Sequence, residues 1–212
     1  TEIGASAFEG CTSLTEVVIP EGVTKIGDRV FASCTSLTEV TIQTSVAAIG
    51  ASTFEGCTNL MRIEVSKDNK EYKSFDCVLF TKCMKMLIKY PSLKISNIYN
   101  IPEGVKKIGA KAFKDKNFLR SIYIPDSVTE IGVSAFEGCT SLTKIVIPEG
   151  VTKVGDRAFA SCTSLTEVTI PTSVTEIGAS AFEGCTSLTE RKSAEGGKRV
   201  AERVDAGGRR II

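Results

Sequence analysis

The chain has 212 residues, 42% of them hydrophobic, which is enough apolar material for one elongated domain or two compact ones and excludes wholesale disorder. Its 26 basic and 25 acidic residues leave a net charge of +1, so no chain-wide field attracts it to nucleic acid or to an anionic membrane surface. Because no run of about 18 apolar residues is present, the sequence predicts no membrane-spanning helix.

The sequence repeats itself every 23 residues. Phe8, Phe31 and Phe54 are separated by this step, and so are the phenylalanines at 113, 136, 159 and 182. Residues 1–45 also match residues 129–173, with changes only at positions 5, 16, 17, 26, 30 and 43. A fixed period of this length is typical of a solenoid, in which each unit packs only on its neighbours.

Each repeat unit reads L-x-x-V-x-I-P-x-x-V-x-x-I-G-x-x-A-F-x-x-C-x-x. The first part predicts a short parallel strand in which residues such as Val168 and Ile170 point inward and their neighbours point outward. Pro171 ends this strand, and the following V-x-x-I-G predicts a turn. The spacing from Ala181 to Cys185 predicts about one turn of α- or 3₁₀-helix, which neighbouring units must stabilise by packing.

The segment I-P-E-G-V-T-K-I-G-D-R-V-F-A-S-C-T-S-L-T-E-V at 19–40 resembles the leucine-rich repeat of BspA-like surface proteins of bacteria and Trichomonas. The resemblance covers residues 1–190, which we predict to form the solenoid domain. It implies an α/β fold: a right-handed solenoid with a parallel β-sheet on its concave face and turns or short helices on its convex face. It also implies a protein that is secreted or exposed at a cell surface.

The period breaks between Phe54 and Phe113, which are 59 residues apart. We predict a variant unit with a β-hairpin insertion at about residues 63–102. Its strands are Cys77–Phe80 and Met86–Tyr90, two short β-rich runs on either side of a connection at 81–85.

The repeat pattern ends near Glu190. It requires apolar residues at 191 and 193, where the chain has Arg191 and Ser193. We therefore predict that residues 191–212, with seven basic residues against three acidic ones, form a flexible basic tail or a non-native extension.

Few residues have the character of catalytic or metal-binding groups. The absence of histidine excludes histidine-based triads and the commonest zinc ligand. Six of the eight cysteines occupy one repeat position (11, 34, 57, 139, 162 and 185), which predicts a column of buried thiols that act as small hydrophobic groups. Cys77 and Cys83 lie outside this column, where a local disulfide or an exposed reactive thiol both stay open. The sequence thus predicts no enzyme, no metal and no cofactor.

The G-D-R triplets at 27–29 and 155–157 predict a helix cap, with Asp28 and Asp156 near the N-terminus of the short helix.

The outward residues of the strands are the candidate binding site. A parallel sheet of stacked repeats offers a rigid, preorganised surface to a partner. The candidates are Glu16, Val18, Glu39, Thr41, Arg62, Glu64, Ser121, Tyr123, Lys144, Val146, Glu167 and Thr169. Three recurring glutamates among them suggest paired carboxylates, but the same column contains arginine, serine and lysine, which favours a solvated surface.

Two functions remain open at this point. The resemblance implies an adhesion-type module that binds another protein, such as a host matrix or cell-surface protein, through the sheet and the hairpin. The near-identical copies and plain surface also fit a structural spacer or a self-assembling scaffold without a dedicated ligand.

Overall fold

The computed structural model describes residues 1–188 and, for the backbone, the strand segments at 190–193, 203–204 and 210–211. The chain forms two compact units, Thr1–Lys94 and Ile95–Ile212. Most of the predicted tail at 191–212 lies outside the described residues, so the predicted domain boundaries remain predictions.

Short strands make up the regular structure of both units. Unit 1 contains β1 (Glu2–Ile3), β2 (Glu16–Val18), β3 (Lys25–Ile26), β4 (Glu39–Ile42), β5 (Ala48–Ile49), β6 (Arg62–Val65), β7 (Tyr72–Phe75), β8 (Val78–Thr81) and β9 (Met86–Lys89). Unit 2 contains β10 (Ile98–Asn100), β11 (Lys107–Ile108), β12 (Ser121–Tyr123), β13 (Glu130–Ile131), β14 (Lys144–Val146), β15 (Lys153–Val154), β16 (Glu167–Ile170), β17 (Glu176–Ile177), β18 (Glu190–Ser193), β19 (Arg203–Val204) and β20 (Arg210–Ile211).

The predicted strand of each repeat forms a parallel ladder. In unit 1, β2, β4 and β6 pair so that each residue lies opposite its equivalent in the next repeat, as Val17 lies opposite Val40. In unit 2 the same pairing joins β10 to β12, and β14 to β16 and β18. Val40 and Val168 point inward and are fully buried, whereas Val18 is exposed. The predicted β-solenoid with parallel strands is confirmed; its right-handed sense remains a prediction.

A second parallel ladder occupies the V-x-x-I-G segment, where the sequence predicted only a turn. It consists of β1, β3 and β5 in unit 1 and of β11, β13, β15 and β17 in unit 2. Each of these strands has two residues, as in Lys153–Val154, so alternation of side chains is too brief to reveal it in the sequence.

The predicted short helices are wrong, and with them the α/β class. The described residues contain no helix; the A-F-x-x-C segment is a series of turns. Two residues of each such segment have left-handed backbone, which an α-helix excludes. The first has φ of 54–57° (Ser6, Arg29, Ser52, Lys111, Ser134, Arg157 and Ser180), and the second has φ of 59–74° (Gly10, Ser33, Gly56, Asp115, Gly138, Ser161 and Gly184).

Backbone bonds in this segment alternate between two kinds of partner. The Phe136 N–H donates to the Ala158 carbonyl of the next repeat at 2.7 Å. The neighbouring Ala135 N–H donates to the Gly132 carbonyl of its own turn at 3.2 Å. The same alternation occurs around Phe31, whose N–H bonds to the next repeat. The turn segments therefore form a third set of inter-repeat bonds.

The core of each unit contains a stack of phenylalanine rings. In unit 2 the rings of Phe113, Phe136, Phe159 and Phe182 follow one another at centroid distances of 5.0, 5.1 and 5.3 Å. Phe136 and Phe159 are fully buried. Stacked rings at this spacing lie within the favourable range for aromatic pairs, so the stack adds to the hydrophobic stabilisation.

Three antiparallel strands occupy the segment in which a two-stranded hairpin was predicted. β8 and β9 pair antiparallel, as predicted from their sequence, and β7 pairs antiparallel with β8. Asp76 and Cys77 connect β7 to β8 and have φ of 51° and 63°. Two consecutive left-handed residues are typical of a type I′ turn, which usually contains Asn or Gly; their absence here hid β7 in the sequence. The last residues of the predicted 63–102 insertion form β10, a regular ladder strand.

A glycine at the end of the V-x-x-I-G segment allows adjacent repeats to approach closely. A Cβ on Gly155 would lie 2.6 Å from the backbone nitrogen of Val133. Gly4 occupies the same repeat position in the first repeat, where a Cβ would meet nothing within 4 Å.

We predict that Gly155→Ala destabilises the fold by about 1–3 kcal/mol, because the new methyl group forces the two backbones apart. The matched variant Gly4→Ala should change stability by less than about 0.5 kcal/mol. Urea unfolding followed by circular dichroism measures both. Equal unfolding midpoints for the two variants would contradict the proposed close approach.

Candidate functional site

The outward strand residues of unit 1 form two columns. One column contains Glu16, Glu39 and Arg62, and the other contains Val18, Thr41 and Glu64. The Arg62 Nε lies 3.4 Å from a carboxylate oxygen of Glu39. An exposed ion pair of this kind contributes little to stability, and the remaining Glu16 and Glu64 leave this face with a net negative charge.

The outward residues of unit 2 form the corresponding columns. One contains Ser121, Lys144 and Glu167, and the other contains Tyr123, Val146 and Thr169. The Lys144 Nζ lies 3.3 Å from a carboxylate oxygen of Glu167. All six are exposed or partly exposed, as expected for the outward face. Arg62 and Tyr123 lie in different units.

Three apolar side chains of unit 2 lie exposed on neighbouring strands of this face. Tyr123 is 53% exposed, Val146 49% and Ile98 61%. Ile98 lies opposite Ser121, so it is one diagonal step from Tyr123. We call Ile98, Tyr123 and Val146 the Tyr123 patch.

The step from β12 to β14 keeps the repeat register. The Thr143 N–H donates to the Arg120 carbonyl oxygen at 3.2 Å. The equivalent bond recurs between the next pair of repeats, where β14 and β16 are in register. Tyr123 and Val146 therefore occupy equivalent positions of successive repeats, although β12 and β14 belong to separate ladders.

Elsewhere on the surface, polar groups of one repeat are satisfied by the next. The Thr166 hydroxyl donates to the Thr143 carbonyl oxygen at 3.0 Å, and eight other threonines of the described residues make the equivalent bond. Lys153 and Glu176 form an ion pair at 2.9 Å. These side chains maintain the stack, which leaves less of their polarity available to a partner.

The turn face carries a charge network of the same kind. The Arg157 guanidinium lies 3.2 Å from Glu137 and 2.8 Å from Glu183. Burial opposes ionisation of Glu137, but hydrogen bonds from Ser134 and Arg157 hold the pKa of that carboxyl below its usual value. Each of these charges is thus neutralised across repeats.

The comparison with protein families identifies the repeat. The BspA-type leucine-rich repeat region matches in six copies, over residues 1–99 and 90–202. The chain belongs to the BspA-type leucine-rich-repeat family. This confirms the resemblance inferred from the sequence, and the family has a fold of the protein-interaction type. No curated protein matches the chain.

Solved structures of leucine-rich-repeat proteins are similar to it. A leucine-rich repeat protein of Eubacterium ventriosum shares 28% identity with a TM-score of 0.75, over 91% of this chain and 63% of that one. A leucine-rich cell surface protein of Faecalibacterium prausnitzii shares 29% with a TM-score of 0.62, over 93% and 70%. The pneumococcal vaccine antigen PcpA, at 24% identity and a TM-score of 0.68, shares the fold over 91% and 59%. The chain thus spans less than two thirds of the first and third of these proteins.

The cysteine column of the BspA-type repeats has a hydrogen-bonding role that the sequence did not predict. All eight cysteines are free, and four of the column are fully buried. Each thiol from Cys34 onward lies 3.0–3.2 Å from the carbonyl oxygen of the phenylalanine 26 residues earlier. Burial raises the pKa of the Cys139 thiol to about 12, so it stays protonated and donates this bond.

The predicted helix caps are corrected to inter-repeat caps. The Asp156 carboxylate accepts the Ala179 N–H at 2.8 Å, and the Asp28 carboxylate accepts the Ala51 N–H at 2.7 Å. Each bond reaches a residue of the next repeat, since there is no helix to cap. The G-D-R triplets therefore belong to the scaffold of the BspA-type solenoid.

Among the described residues, no three side chains of the metal-ligating types lie close enough together to hold an ion. Within the same part of the chain, no helix is long and apolar enough to cross a membrane.

Sequence reasoning missed two outward residues of the BspA-type ladder, Ile98 and Asn100. They lie on β10, opposite Ser121 and Tyr123. The signal was present, because I-Y-N-I-P at 98–102 repeats S-I-Y-I-P at 121–125 at the 23-residue step. Treating 63–102 as one insertion concealed it.

We predict that iodoacetamide modifies Cys83 at least about 100-fold faster than Cys139 at pH 7.5, because the thiolate is the nucleophile. Cys83 is exposed, and hydrogen bonds from the Lys85 backbone and the Thr81 hydroxyl lower the pKa of its thiol. Peptide mass spectrometry measures both rates, with fully unfolded protein as the control in which they converge. Comparable rates in the folded protein would show that the column is open to solvent.

Proposed function

We propose that this BspA-type chain is a non-enzymatic binding module that is secreted or exposed at a cell surface and attaches to another protein. The binding surface is the outward sheet face, and the Tyr123 patch is its proposed main contact. Host matrix and cell-surface proteins are the proposed partners. The Faecalibacterium relative, a leucine-rich cell surface protein, supports this location.

The exposed apolar side chains of the Tyr123 patch are the main support for this binding surface. Most outward positions of the ladder hold Thr, Glu or Lys, and several of these are paired across repeats. At the patch, three apolar side chains on successive repeats are about half or more exposed. Tyrosine is enriched at the energetic centres of interfaces, and clustered exposed apolar groups mark interaction surfaces.

Val18 provides a matched control within the same chain. It occupies the repeat position of Val146 in a near-copy of the repeat and is 62% exposed. Both valines lie opposite a threonine of the next repeat, Thr41 for Val18 and Thr169 for Val146, and Val146 also follows a repeat that carries Tyr123. If valine at this repeat position has only a structural role, its substitution should have the same effect at Val18 and at Val146. If Val146 contacts a partner, only its substitution should weaken binding.

We predict that Tyr123→Ala and Val146→Thr each weaken capture of proteins from a detergent-solubilised extracellular-matrix extract. For Tyr123→Ala we expect about 30-fold lower affinity, as for a central interface residue. Val18→Thr should bind like the wild type. Quantitative mass spectrometry of the captured proteins and biolayer interferometry with the main captured protein give the readouts, and circular dichroism verifies folding.

A spacer or self-assembling scaffold makes the opposite prediction. In that case the wild type retains no matrix protein above the level of Tyr123→Ala, while the chain elongates or associates on size exclusion. Such a result would replace the binding proposal.

A further inference from the structure

Charge is distributed unevenly along the chain. Residues 1–66 hold eight acidic and three basic side chains, and residues 124–188 hold the same numbers. The repeat at 95–123, which carries Ile98 and Tyr123, is reversed, with two acidic side chains against six basic ones. The near-neutral total therefore hides a basic repeat that coincides with most of the Tyr123 patch.

Ion pairs engage some of these basic side chains but not Arg120. Lys107 pairs with Glu130 of the next repeat at 2.8 Å, and Lys114 lies 3.9 Å from Glu137. Arg120, by contrast, forms no ion pair with any residue that the structure describes. Its guanidinium is therefore available to a partner.

Arg120 occupies a repeat position at which the side chain usually bonds to the preceding repeat. The other repeats of unit 2 have Thr143 and Thr166 there, and both hydroxyls bond to the preceding repeat. Arg120 keeps only the backbone bond, from its N–H to the Asn97 carbonyl at 2.8 Å. Its exposed side chain stands directly before β12, three residues from Tyr123.

A second departure from the repeat adds an exposed apolar side chain two residues before Arg120. Phe118 is 52% exposed at a position where the next repeats have Ser141 and Ser164. The repeat thus combines exposed aromatic groups with an unpaired guanidinium, which matches the planar geometry of a carboxylate in a way that an ammonium does not.

We infer that the partner of this surface is an acidic polypeptide segment whose carboxylates pair with Arg120 while its apolar side chains cover Tyr123, Ile98 and Phe118. The inference rests on the proposed function and specifies the chemistry of its partner. An anionic polysaccharide would satisfy the charge but leave the apolar groups uncovered, so the pairing of both features favours a polypeptide.

Binding to three polyanions distinguishes the contribution of charge from that of the exposed apolar side chains. Binding of the whole chain to a poly(Glu,Tyr) random copolymer, to poly-glutamate and to heparin is measured by isothermal titration at 50 and 300 mM salt. The copolymer should bind at least about tenfold more tightly than poly-glutamate at equal charge, because only it can cover the patch.

Two variants and a matched control locate the effect. Arg120→Gln should weaken copolymer binding about tenfold and reduce its salt dependence, and Tyr123→Ala should weaken binding of the copolymer but not of poly-glutamate. Lys153→Gln removes the same charge from an exposed lysine of unit 2 that is paired with Glu176, and it should bind like the wild type.

Each other outcome overturns the inference. If heparin binds as tightly as the copolymer and Tyr123→Ala has no effect, charge alone drives binding. If the chain associates with itself in a way that Arg120→Gln abolishes, the acidic repeats of a second copy occupy the surface. If Tyr123→Ala loses the matrix proteins while Arg120→Gln keeps them, the proposed function stands and the acidic partner does not.

Discussion

The structure depends on one recurring bond, from the N–H of the central phenylalanine of a repeat to a carbonyl of the next repeat. Phe136 to Ala158 is an example, at 2.7 Å. To aim this N–H at its neighbour rather than along its own segment, the chain adopts left-handed backbone twice in every turn segment. The segment therefore cannot become a helix, and its backbone groups are satisfied only while a neighbouring repeat is present. Close approach of the backbones then requires a residue without a side chain, as at Gly155.

Most of the repeat serves this contact. The stacked phenylalanines, the buried thiols that donate to phenylalanine carbonyls and the threonine hydroxyls all join one repeat to the next. A side chain that makes such an inter-repeat contact has few groups left to bind a partner. We therefore expect a partner to bind where the repeat departs from its pattern. In unit 2 the departures at Ile98, Phe118 and Arg120 all lie in one repeat. That repeat also has the opposite charge balance to the repeats that follow it.

The sequence predicted those features that depend on burial of side chains. Val168 and its equivalents alternate with polar residues, so the first ladder and its orientation followed from the pattern. The antiparallel pair β8 and β9 followed from two apolar runs. Features that depend on backbone conformation were missed: Ser134 and Arg157 are left-handed although neither residue type favours it, so the helix prediction had no warning against it. The two-residue strands of the second ladder are too short to have a period. For the candidate site, Tyr123 was recognisable as the aromatic of the outward columns. Arg120 was not, because its interest depends on the structure, in which it pairs with no acidic side chain of the described residues.

Through-hydrogen-bond scalar coupling in solution tests the central bond most directly. In a perdeuterated, ¹⁵N,¹³C-labelled chain, we expect coupling between the Phe136 nitrogen and the Ala158 carbonyl carbon, and between the Phe159 nitrogen and the Ala181 carbonyl carbon. A helical turn would instead couple the Phe136 nitrogen to the carbonyl carbon of Gly132, four residues earlier. Observation of that second coupling would contradict the inter-repeat bond on which the rest of the structure is built.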